Sequence, residues 1–157
     1  MGTRLDTKVK RYEFLVQRAD KSLAAGFYVE ATAIIYSLLE ERTYSLMKKL
    51  GLPYKEKNHK LFHCIEFIND AIQDHTIPYA PSVTVVDIHK LLKSELIESD
   101  LLKKINAWRS ERNDIMHDLA KQNINYESLQ SIAENGVSLF RSYTAFIMRF
   151  KKLTKST

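Results

Sequence analysis

A chain of 157 residues with 45 % hydrophobic residues, 4 Gly and 3 Pro can bury a core of its own. It has too few chain breakers for a turn-rich sheet protein. A single cysteine, Cys64, excludes an intrachain disulfide and a zinc site built from several cysteines, and points to an intracellular, cytoplasmic protein. The net charge of +5 and pI of about 9.2 suit a polyanionic partner, and no run approaches the ~18 apolar residues of a membrane span.

Apolar residues recur at three- and four-residue steps from Val9 through Tyr12, Leu15, Val16, Ala19 and Leu23, which predicts an amphipathic helix ending at Gly26. A second helix is expected from about Phe27 to Leu50 on the stripe Ala31, Ile34, Ile35, Leu38, Leu39, Leu46 and Leu50, with Gly51 and Pro53 stopping it. So short a connection folds the two back as an antiparallel pair. Asn58 reads as the N-cap of a third helix, His59 to Gln73, whose apolar face is Leu61, Ile65, Ile68 and Ile72. Thr76 to Ser82, with two prolines, reads as a loop.

Val83 to Val86 would have nothing to pair with as a lone strand, so it reads as the start of a helix reaching about Ile97. Ser99 is expected to cap the next helix, which carries Leu101, Leu102, Ile105 and Trp108. After a polar break at Asn123 to Asn125, a last helix spans about Tyr126 to Leu153, with Gly136 expected to bend or weaken it. The ends, Met1 to Asp6 and Lys151 to Thr157, read as frayed. The whole predicts one domain over residues 1–157, all-α, an up-and-down bundle of four to six helices.

The chemistry concentrates in Arg109-Ser110-Glu111-Arg112-Asn113-Asp114-Ile115-Met116-His117. A guanidinium holds a phosphate, and an imidazole moves a proton near neutral pH. These are the two tools needed to cleave RNA without a metal. At about 100° per residue, Asn113 and His117 share one helix face, as do Arg109 and Asn113, and Asp114 and His117. Arg112 and His117 are about 140° apart. Three arrangements would reconcile them: a helix that loosens near His117, an Arg112 side chain that reaches around, or a pocket shared between two copies. The bland alternative is a solvated helix face.

The order Arg-Asn-x-x-x-His resembles the signature of the HEPN superfamily. Upstream, Ala19 and the segment Ala24-Ala25-Gly26-Phe27-Tyr28-Val29-Glu30-Ala31 are similar to the small-residue turn, aromatic, acid and alanine of those proteins. The resemblance covers about Val9 to Leu50 and Leu101 to Phe150. It implies a four- or five-helix bundle, usually dimeric, with two Arg-x-x-x-x-His runs facing each other. It also implies a metal-independent endoribonuclease, needing no cofactor, of the kind found in toxin–antitoxin and phage-defence systems.

In that reading the ribose 2′-hydroxyl attacks its adjacent phosphate and leaves a 2′,3′-cyclic phosphate and a free 5′-hydroxyl. His117 moves the proton, Arg112 stabilises the phosphate charge, and Asn113 assists. Arg109 and Asp114 are secondary candidates. Glu41 joins them because HEPN sites often recruit an acid from an earlier helix. Leu119 stands where many toxins controlled by tyrosine modification carry Tyr, so that control is not expected here. The expected partners are RNA, a second copy of the chain, and an antitoxin or nucleotidyltransferase. The alternatives are a non-catalytic module binding such a partner or RNA, and a plain dimeric scaffold.

His59, His63 and Glu66 fall at i, i+4 and i+7 and would face one metal from one helix, although the pattern is more simply polar residues beside an apolar stripe. Cys64 reads as a small buried hydrophobe. Tyr143, Phe146 and Phe150 read as core or dimer contact rather than a base-stacking platform.

Overall fold

A computed structural model describes residues 4–53, 60–78, 85–121 and 125–155. The chain folds as an all-α helical bundle, and among the described residues there are six helices and no strand. They are α1 (Arg4–Ala24), α2 (Tyr28–Lys49), α3 (Leu61–Gln73), α4 (Val85–Leu92), α5 (Leu101–Ala120) and α6 (Tyr126–Lys155). A π-helical segment, Lys93–Glu98, continues α4. Helix α1 begins at Arg4 and α6 runs to Lys155, so regular structure extends into both segments read as frayed.

Glycine ends the first two helices by the same device. Gly26, at φ +81°, donates to Leu23 O, and Phe27 N donates to Ser22 O at 2.8 Å. Gly51, at φ +71°, donates to Lys48 O, and Leu52 N donates to Met47 O at 3.0 Å. Both are Schellman turns, in which a left-handed residue lets the chain satisfy the last carbonyls. His75 closes α3 in the same way at φ 53°, with Thr76 N donating to Ala71 O. Its imidazole forgoes glycine's freedom there.

The N-cap expected at Asn58 lies outside the described residues. Lys60 precedes α3 in an extended conformation with no side-chain cap. Leu101 N donates to Ser99 Oγ, so Ser99 satisfies the first N–H of α5, while the N-cap position itself falls on Asp100, whose carbonyl accepts from Lys104 N. Asn125 caps α6: its Oδ1 accepts from Ser128 N at 3.2 Å. Of the loop expected at Thr76 to Ser82, residues 76–78 are irregular and the rest lie outside the described residues.

The chain gathers into two compact units, Met1–Leu39 with Trp108–Phe140 and Glu40–Ala107 with Arg141–Thr157. In the first, Arg18 Nε pairs with Glu30 Oε1 at 2.8 Å across the turn, and α1 folds back on α2 as expected. Ala19, Ala31, Ile35, Leu38, Leu39, Leu129, Ile132 and Ala133 are buried. The α1 stripe is only part-covered, since Val9 is 47 % exposed.

Trp108 anchors α5 to α6. Its indole Nε1 donates to Ile132 O at 2.8 Å, and the ring lies over Gly136, where a Cβ would come within 2.6 Å of Cζ2. Helix α6 is unbroken at Gly136. The glycine makes room for the indole.

In the second unit Leu61, Ile65, Ile68 and Ile72 are all buried, as the α3 pattern predicts. Tyr143, Phe146 and Phe150 form a buried aromatic row with ring centroids 6.3 and 6.1 Å apart, so the series is core. Tyr143 Oη shares a hydrogen bond with Thr43 Oγ1 at 3.2 Å, and burial pushes the phenol well above its ordinary value. Cys64 is buried, and that burial, then the nearby Glu40 carboxylate, pushes its thiol up. No helix of the described residues is long and apolar enough to cross a membrane.

Candidate functional site

The run sits on the C-terminal half of α5, in the first unit. It is helical for a local reason: Leu101, Leu102, Ile105 and Trp108 give α5 a buried stripe that docks its first half. The helix then continues without loosening through His117 to Ala120, which closes the first of the three arrangements that would bring Arg112 and His117 together. On this backbone their Cα atoms are separated by about 7.5 Å along the axis as well as by the angular splay.

The side chain of Arg112 reaches the residue next to it. Its Nη1 donates to Asn113 Oδ1 at 3.1 Å. Asn113 shares its face with His117 one turn on. A second constraint comes from α2. The Tyr36 ring lies beneath the guanidinium, with Arg112 Cζ 4.4 Å from the ring centroid. This is the distance of a cation–π contact. Arg112 Nε is buried there and has no hydrogen-bond partner.

Asn113, Asp114 and His117 are exposed, and Arg109 and Arg112 are half-buried. The structure therefore brings Arg112 and Asn113 into direct contact and leaves His117 open to solvent on the same stretch of helix. Glu41 is exposed on the part of α2 that belongs to the second unit. His59 lies outside the described residues. His63 and Glu66 are exposed and, with Met47, Cys64, Phe67 and Asp70, line a cavity of about 250 Å³. No three His, Cys, Asp or Glu side chains among the described residues are arranged to hold a metal.

Sequence reasoning missed Tyr36. It lies between the apolar positions Ile35 and Leu38 and reads as one more stripe neighbour. Nothing in the local pattern says that its ring faces a residue on α5. Thr32, one turn earlier on α2, was missed as well. It is fully buried, and its Oγ1 has no hydrogen-bond partner.

No protein-family model, curated protein or solved structure matches this chain.

Proposed function

We propose that the chain is a metal-independent endoribonuclease that cleaves RNA by attack of the ribose 2′-hydroxyl on the adjacent phosphate. One observation carries the reading. Arg112, tied to Asn113, and His117, one turn beyond Asn113, offer a phosphate-binding cation and a proton-transfer group from one continuous helix. Arg112 would hold the non-bridging phosphate oxygens, which gain charge as the new P–O bond forms. His117 would take the proton from the 2′-hydroxyl or return one to the departing 5′-oxygen. Asn113 holds Arg112 in place. Arg109 lies one turn before Asn113 and would meet a neighbouring phosphate of the same strand.

The splay between Arg112 and His117 favours a pocket shared by two copies, and the proposal includes a homodimer. The resemblance to HEPN proteins extends the reading to a cytoplasmic toxin or anti-phage component with an antitoxin or nucleotidyltransferase partner. A second reading, a non-catalytic module that binds such a partner, draws on the exposed aromatic side chains Phe14 and Phe27 of the same unit.

The test is RNA cleavage in the presence of EDTA, with the parent chain beside His117→Ala and Arg112→Ala. The expected products carry 2′,3′-cyclic phosphate ends, DNA of the same sequence is untouched, and each variant loses 100-fold or more, roughly the size of a general acid–base or charge-stabilising contribution. A parent chain that cuts no RNA, or variants that cut as well as it does, would overturn the reading.

A further inference from the structure

We infer that Tyr36 is the positioning residue of this site: its ring holds the Arg112 guanidinium so that one edge of the planar fork faces a backbone phosphate. The inference takes its ligand, a phosphodiester, from the ribonuclease reading, but it concerns binding rather than chemistry.

The donors of Arg112 can be accounted for one at a time. A guanidinium carries five N–H groups in one plane: one on Nε and two on each Nη. The Nε hydrogen is buried and has no acceptor. One Nη1 hydrogen goes to Asn113 Oδ1. The second Nη1 hydrogen and both on Nη2 remain, and when Asn113 takes the Nη1 hydrogen on the Cδ side, one hydrogen on each Nη points outward along the end side of the fork. That side matches the spacing of two oxygens on a phosphate. Among the described residues no Asp or Glu pairs with Arg112.

Tyr36 makes this arrangement directional. A guanidinium seated over a ring, with Cζ 4.4 Å from the centroid, is limited in how far it can swing, and the hydrogen bond to Asn113 limits it further. Stacking also strips water from one face of the cation. A partly desolvated charge gains more from an incoming phosphate than a fully hydrated one does. Lysine could not serve here, because its ammonium has no plane to stack and no fork to present.

The probe is a short fluorescent single-stranded DNA oligonucleotide, which carries the phosphates but lacks the 2′-hydroxyl and so cannot be cut by this chemistry. Its affinity is read by anisotropy for the parent, Tyr36→Phe, Tyr36→Leu, Arg112→Ala, Arg112→Lys and the double variant Tyr36→Leu with Arg112→Ala. Tyr36→Phe is expected to bind within about twofold of the parent, because the ring is retained. Tyr36→Leu and Arg112→Lys are each expected to weaken binding roughly fivefold or more. The double variant should bind no more weakly than Arg112→Ala alone.

On RNA, Tyr36→Leu should raise KM and leave the pH profile of kcat unchanged. Binding by Tyr36→Leu equal to the parent's, a Tyr36→Leu effect that adds to that of Arg112→Ala, or a parent that binds no oligonucleotide would each overturn the inference. If Tyr36→Leu does not fold, Arg112→Lys decides: parity with the parent overturns the inference. If the binding pattern holds but the parent cuts no RNA, the ribonuclease reading fails and the role of Tyr36 stands.

Discussion

Trp108 and Gly136 show how one residue's meaning depends on another that is remote in sequence. By helix propensity alone, Gly136→Ala should stabilise α6 by about 1 kcal/mol. The added methyl would instead meet the body of a buried indole at 2.6 Å, and the indole is held in place by its bond to Ile132 O. Overpacking of this kind costs roughly 1–3 kcal/mol, so Gly136→Ala is expected to lower stability, as read from the urea midpoint. Adding Trp108→Phe should recover part of that loss, and strictly additive effects would contradict the seat. The same limit applies at the site. Arg112, Asn113 and His117 were legible in the sequence because their chemistry and spacing are local. Tyr36 was not, because its role comes from a ring on α2 meeting a cation on α5.

Among the elements, the helix ends were legible wherever a left-handed residue was needed and glycine supplied it, as at Gly26 and Gly51. They were less so at His75, where the left-handed residue closing α3 is an imidazole. The π-helical segment was also invisible, since an apolar stripe looks much the same whether the hydrogen bonds span four residues or five. These two features define a joint in the second unit. His75 stacks on His89 of α4 with centroids 3.9 Å apart, and Lys93 of the π-helical segment adds a further positive charge near His89. Burial, then His75, then Lys93 lower the proton affinity of His89 below its ordinary value of 6.5. The folded chain thus binds a proton at His89 less readily than the unfolded chain does. Its contribution to stability is complete above pH 6.5 and is lost as pH falls below that value. The urea midpoint of the parent is expected to fall between about pH 7.5 and 5.5, and His89→Gln should flatten that slope. Equal slopes would show that the pair is not the sensor.

At the scale of the whole molecule, the all-α fold follows from composition and periodicity, and the six helices lie close to where the pattern puts them. The division into two compact units does not follow, because α2, α5 and α6 each run on without a linker or a change of composition. The proposed dimer makes its own prediction. If each pocket takes its arginine from one copy and its histidine from the other, inactive Arg112→Ala and inactive His117→Ala should complement each other when mixed and allowed to exchange subunits. A measurable fraction of RNA cleavage should return. If the mixture stays inactive although mass measurement shows mixed dimers, each copy holds its own complete pocket.

The single tryptophan of the chain lies one residue before Arg109, on the helix that carries the run. Its indole is 3 % exposed and packed within the first unit. The molecule thus contains its own optical reporter for the part that matters most. Tryptophan emission follows the surroundings of the run, whereas far-ultraviolet dichroism follows every helix at once. Any separation between the two signals during unfolding would measure how far the helix bearing Arg112 and His117 can come loose while the rest remains in place.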